Sequence, residues 1–201
     1  MIHNTASNMT AAMIKRKILT SEKKEYYAYI LEGMIEKIIT YSILIMISII
    51  MHVTIPTLFF MLFFFSLRER TGGFHFNSFL KCLISTIIIY IFMNAVLITF
   101  LLSHEYSTYV VLSISAVIIM FIGNVNHPNL NLDSDEVRDC KKSARIIVIV
   151  ELLCIMSEFA LSMNKVCIIY ESLAIIMCAM LLSVAKIAKQ EVRQDEGICK
   201  E

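Results

Sequence analysis

Residues 82–102 read CLISTIIIYIFMNAVLITFLL, a run with no charged side chain. About twenty apolar residues make a helix long enough to cross roughly 30 Å of hydrocarbon. Inside lipid a helix also satisfies every backbone N–H and C=O within its own segment. A membrane barrel would instead show short alternating segments separated by turns, and none is visible here. This stretch therefore predicts a transmembrane helix.

Five further apolar stretches flank it, at about 34–51, 53–67, 107–123, 144–162 and 166–187. Across all 201 residues, 58% are hydrophobic and only 17% charged, with a mean hydropathy of +0.73. Soluble domains carry about 25% charged residues. The expected fold is an all-α integral membrane protein with about six transmembrane helices. The second stretch is the shortest and contains Pro56. It either crosses with little tilt, thins the bilayer locally, or re-enters.

Basic residues accumulate on the cytoplasmic side of membrane proteins. Of the 18 Lys and Arg residues, all but Lys37 and Lys165 fall in the N-terminal segment, the second link, the fourth link with its edge, or the tail. That sorting predicts an even number of crossings with both termini inside. Residues 1–33 lack the apolar core of a signal peptide. They combine Met13, Ile14 and Ile18 with Lys15, Arg16 and Lys17, as in an amphipathic helix lying on an anionic inner leaflet. The expected organisation is a cytoplasmic N-terminal segment 1–33, a transmembrane domain 34–187 and a cytoplasmic tail 188–201. The membrane domain would contain a polar segment at 68–82 and a cytoplasmic loop at 123–143.

Net charge is +1, and no basic, aromatic-interleaved patch suggests nucleic acid. Cysteines 82, 140, 154, 167, 178 and 199 form no C-x-x-C pair, which favours reduced thiols. His75 and Cys82 supply only two metal ligands where zinc takes three or four, so no metal and no cofactor are expected.

The polar segment 68–82 reads RERTGGFHFNSFLKC. A thiol becomes a nucleophile on losing its proton, which a neighbouring imidazole can accept and later pass to a leaving amine. Cys82 and His75 are thus a candidate nucleophile and base. Ser78 is a candidate N-cap that would set Cys82 at the end of a first helical turn. Residues seven apart on an unbroken helix are separated by about 10 Å along its axis, so a dyad requires the chain to bend. Gly72 and Gly73 permit that bend, and a bent or re-entrant segment is predicted between Arg70 and Ser78. The bland alternatives are an interfacial histidine and a cysteine acting as a small hydrophobe.

This segment resembles the accessory gene regulator protein B family (AgrB), membrane cysteine endopeptidases that mature autoinducing peptides. The resemblance extends to HPNLNLDSDEVRDCKKSAR at 127–145, similar to a Pro/Asn-rich stretch followed by acidic and then basic residues. It implies that His75 and Cys82 are the catalytic pair, with Arg68 and Gly73 at conserved positions before the histidine. Apart from the resemblance, backbone N–H groups near Gly72 and Gly73, or the start of the third span, are the candidates to stabilise an oxyanion. Lys141, Lys142 and Arg145 correspond to a basic loop that would contact substrate or lipid, although Ser143 interrupts the run here.

The implied reaction is attack of Cys82 on the scissile carbonyl of a propeptide, then ring closure by an internal Cys or Ser to a thiolactone or lactone. The implied partners are an AgrD-like propeptide at the inner leaflet and the lipid bilayer; a homodimer is left open. Glu36, Lys37, Glu151, Glu158 and Glu171 lie within apolar spans, where ionisable groups are functional or paired. They support a rival reading, a small peptide transporter.

Overall fold

A computed structural model describes residues 2–16, 18–20, 24–74, 78–125 and 133–188. The chain forms α1 (Ile2–Lys15), α2 (Lys24–Ile50), α3 (Thr54–Thr71), α4 (Phe79–Phe92), a π-helical turn (Met93–Leu97), α5 (Ile98–Ser103), α6 (Glu105–Ile122), α7 (Ser134–Ala160) and α8 (Lys165–Ile187). Among the described residues there is no strand, only one isolated bridge between Gly72 and Val125. All six apolar stretches are helical, as expected.

Among the described residues, four helical stretches are long and apolar enough to cross a membrane: Lys24–Ile50, Phe79–Ser103, Glu105–Ile122 and Lys165–Ile187. The other two stretches fail for a specific reason. The 18 residues of α3 end in Arg68, Glu69 and Arg70, and the apolar part of α7 carries Arg145, Glu151 and Glu158. At 1.5 Å per residue, α3 measures about 27 Å, a little under the hydrocarbon thickness.

The helices run alternately between two ends of the bundle. At one end Lys37 Nζ bonds Glu69 Oε1 at 2.7 Å, Arg145 Nε donates to Met120 O at 3.0 Å, and Phe74 N donates to Leu181 O at 3.2 Å. At the other, Lys165 Nζ meets Glu105 Oε1 at 2.9 Å, and the Tyr109 and Phe159 rings lie 6.0 Å apart. Lys37, read from sequence as a charge inside the first span, thus lies level with the charged end of α3.

α8 is the central helix. In its most apolar window 72% of residues are buried, against 11%, 22% and 28% for the other three spans. Ser172, Ala174, Cys178, Ala179 and Ala185 are all buried along it, and such small residues let neighbouring backbones approach closely. Its larger residues Tyr170, Leu173, Ile175 and Leu182 are at most 1% exposed. Outward-facing positions are also apolar: Ile50, Leu62, Ile88, Phe121, Leu153 and Met156 are exposed. A surface that is apolar on every side of an apolar core suits lipid.

The polar link after α6 is not simply a loop. Asp133 caps α7: its side chain accepts from Glu136 N at 2.8 Å, while Asp133 N donates to Glu136 Oε2 at 3.0 Å. Where the sequence suggested a loop through residue 143, Ser134 is the first helical residue, and one helix continues for 27 residues into the fifth apolar stretch. Polarity at 134–143 marks where this helix leaves apolar surroundings, not where it ends. Lys141, Lys142 and Arg145 therefore sit on α7. The tail expected at 188–201 lies outside the described residues from 189 on.

The N-terminal amphipathic piece is also two helices. α1 packs against the start of α2, burying Ala6 and Thr10, with His3 Nδ1 2.9 Å from Glu32 Oε2. Within the third span, the π turn surrounds Asn94. Its Nδ2 donates to Tyr90 O at 2.8 Å and its Oδ1 accepts from the Tyr170 hydroxyl, while Tyr90 and Thr57 hydroxyls lie 2.6 Å apart. This polar network joins α3, α4 and α8 within the bundle.

Candidate functional site

The last turn of α3 builds the site. Gly72 closes the helix with its N–H donating to Arg68 O at 3.1 Å. Gly72 has φ +65° and Gly73 φ +125°, backbone conformations that side chains disfavour. The chain leaves the helical path here, which fits the bend that the His75–Cys82 spacing requires.

Arg68 turns back over this exit. Its Nη1 donates to Gly72 O, and its Nη2 donates to Phe74 O at 2.7 Å. A Cβ on Gly73 would fall on the guanidinium. The planar fork of arginine suits two diverging carbonyls in a way a lysine ammonium does not. From the opposite side Val125 N donates to Thr71 O at 3.0 Å and Asn124 Nδ2 to Arg70 O at 2.6 Å. A Cβ on Gly72 would stand 2.6 Å from Val125 O.

Phe74 is fixed at both its backbone groups, the N–H by Leu181 O and the carbonyl by Arg68. His75, with Phe76 and Asn77, lies outside the described residues. The chain resumes at Ser78, which has the extended backbone of an N-cap but no side-chain capping bond. The expected Ser78 cap is thus present in backbone conformation alone.

Cys82 is half-buried in the first turn of α4, its N–H bonded to Ser78 O at 3.1 Å and its carbonyl accepting from Thr86 Oγ1 at 2.9 Å. Arg68 lies within electrostatic range of both Cys82 and the buried Cys178 of α8. The described cysteines 82, 140, 154, 167 and 178 are all free thiols.

The three basic residues that the resemblance singles out in the fourth link divide. Lys141 lays its stem against Gly123, where a Cβ would stand 2.9 Å from Lys141 Cγ. Arg145 holds the end of α6 through Met120 O. Lys142 is exposed. Asn124, Val125 and Leu181 were not singled out from the sequence. The only signal was the Gly123–Asn124 turn, which says nothing of what it touches.

The site is thus a thiol at a helix start beside an arginine-clamped glycine turn, in a polytopic helical membrane protein. The family model for Accessory gene regulator B matches residues 6–187, most of the chain, and the chain belongs to that family. Membership places it in the processing of quorum-sensing peptides. No curated protein and no solved structure matches the chain.

Proposed function

We propose that the chain is a membrane cysteine endopeptidase that cleaves the C-terminal part of an autoinducing propeptide, with Cys82 as nucleophile and His75 as base. Cys82 attacks the scissile carbonyl, and His75 takes the thiol proton and returns it to the departing amine. An internal Cys or Ser of the peptide then attacks the thioester, freeing Cys82 and closing a thiolactone or lactone ring. Thioester exchange conserves the activation that hydrolysis would destroy, so keeping water out and holding the internal nucleophile close both favour the ring.

One observation carries this reading: Phe74, the residue before His75, is anchored at both backbone groups, and the arginine that anchors it lies within electrostatic range of Cys82. Arg68, Gly72 and Gly73 are accordingly positioning residues for the dyad. The same reading has six crossings, with both termini and the 68–82 segment in the cytoplasm, where a propeptide on the inner leaflet can reach it. Lys142, exposed on α7, is a candidate contact for an acidic peptide.

Co-expression of the chain with its propeptide, followed by mass analysis of the released tail, tests the proposal. Cys82→Ala and His75→Ala should each abolish cleavage while the protein still reaches the membrane. Cleavage that survives either change refutes the dyad. The buried carboxyls of Glu151 and Glu171 favour a second reading, a peptide transporter. That reading requires transport to depend on these acids and to tolerate Cys82→Ala.

A further inference from the structure

Away from the thiol, three acids converge between α7 and α8. Glu151 is 6% exposed and Glu171 fully buried, while Glu158 is partly buried nearer the C-terminal end of α7. Glu158 and Glu171 are neighbouring carboxyls across the contact between α7 and α8, and Glu151 is the next carboxyl near Glu171. Ser66 of α3 turns its hydroxyl onto Glu151 Oε1 at 2.6 Å. Both oxygens of Glu171, and Oε2 of Glu158 and of Glu151, are buried with no donor.

Among the described residues no cation is bonded to them. Lys165 is committed to Glu105 at the helix ends, and Arg68 is committed to the carbonyls of Gly72 and Phe74. α6 carries three titratable groups, Glu105, Tyr106 and Tyr109, all within its first five residues, and α5 contributes none. On α8, Cys167 lies within electrostatic range of Glu158 and Glu171, and Cys178 within range of Glu151 and Arg68. Among the described residues no group of three His, Cys, Asp or Glu side chains is arranged to hold a metal ion.

Ionised carboxylates only accept hydrogen bonds, so two facing each other in a buried site repel and leave each other unsatisfied. One added proton makes either of them a donor to the other. We propose that Glu158 and Glu171 form a proton-binding site that holds a shared proton in the interior of the bundle, with Glu151 as the adjoining acceptor. Glu158, the least buried of the three, is its point of access, at the end of the bundle opposite the glycine turn. The fully buried, donorless Glu171 distinguishes this site from acids that merely share a helix face. It stands independently of the peptidase reading.

The full chain in lipid nanodiscs tests the site by infrared difference spectroscopy. A protonated carboxyl in apolar surroundings gives a carbonyl stretch, distinct from carboxylate bands, that shifts in deuterated water. The expected result is such a band near neutral pH, lost in Glu171→Gln and altered in Glu158→Gln. Its absence from the unsubstituted protein, or its persistence unchanged in both variants, overturns the proposal.

Should Glu171→Gln fail to insert, the unsubstituted protein decides through dicyclohexylcarbodiimide, which attacks protonated carboxyls in apolar sites. Labelling of Glu158 or Glu171 that disappears in alkaline buffer supports the site. No labelling overturns it, as does protection by sodium at fixed pH, which would make the occupant a metal cation.

Discussion

The guanidinium of Arg68 occupies the space that a side chain on Gly73 would need. The two residues are therefore one device: the glycine leaves room, and the arginine fills it while bonding the carbonyls of Gly72 and Phe74. Gly73→Ala should displace the guanidinium and release the backbone leading into His75. Misplacing a catalytic group by about 1 Å can lower the rate about 100-fold, and a loss of that order is expected for propeptide cleavage at unchanged membrane level. Arg68→Lys should fall similarly, since an ammonium cannot reproduce the fork. Near-normal cleavage by Gly73→Ala would show that the clamp does not position the site.

Gly72 is constrained differently, by backbone. With φ +65° and a Cβ destined for 2.6 Å from Val125 O, Gly72→Ala meets an atom that cannot rotate away. Left-handed backbone alone costs an ordinary residue about 1–2 kcal/mol, and the clash adds to that. The expected outcome is a lower melting temperature in detergent together with loss of cleavage, where Gly73→Ala should affect cleavage more than stability. Equal melting temperatures for Gly72→Ala and the unsubstituted protein would contradict the Gly72–Val125 contact.

Asn124 ties the end of α6 to the same turn through Arg70 O, across 54 residues of sequence. Asn124→Ala removes that donor from a partly buried carbonyl, and a typical hydrogen bond contributes about 1 kcal/mol. It should lower the melting temperature and make cleavage more temperature-sensitive. Asn124→Asp tests the donor specifically, because a carboxylate cannot replace the lost N–H. Thermal denaturation of the two variants should show losses in both, and an unaffected Asn124→Asp would remove Asn124 from the clamp.

These contacts show where the sequence is legible and where it is not. Residues 82–102 announced a helix because length and apolarity are local properties. The bend at Gly72 and Gly73 was legible for the same reason, since two glycines and a seven-residue spacing belong to one segment. The identity of what clamps the bend was not, because Asn124, Val125 and Leu181 reach it only through tertiary packing. The continuity of α7 was hidden by composition: residues 134–143 are polar, yet the Asp133–Glu136 capping box and helix-forming Glu, Arg and Lys carry the helix through them. The π turn gave only Asn94 within an apolar run as its trace.

The capping box makes its own prediction. Replacing an N-cap Asp by Ala typically costs about 1 kcal/mol, and Asp133 holds both partners of the box at hydrogen-bond distance. Asp133→Ala should speed amide hydrogen exchange over the first turn of α7 and leave exchange near Glu151 unchanged. Uniform acceleration along α7 would mean that its N-terminal turns and its apolar half unfold together.

The sorting of the helix ends gives a prediction about orientation. Ser162 follows α7 beside Lys165 and Glu105, whereas Ser134 begins α7 at the end shared by Arg145, Met120 and the glycine turn. With basic residues on the inner side, a membrane-impermeant maleimide should label Ser162→Cys in intact cells. It should label Ser134→Cys only after permeabilisation. Both variants are to be made with the five free thiols of the described chain and Cys199 replaced by Ala, so that each signal has one source. Labelling of both sites from outside would mean that α7 does not cross. The 68–82 segment would then need another route to an inner-leaflet peptide, because α3 and α7 are the two helices whose charges set them apart from the clear spans. Reversal of the two signals would invert the orientation and put the Arg68 clamp on the outer face. An endopeptidase acting on a cytoplasmic propeptide could not work from there.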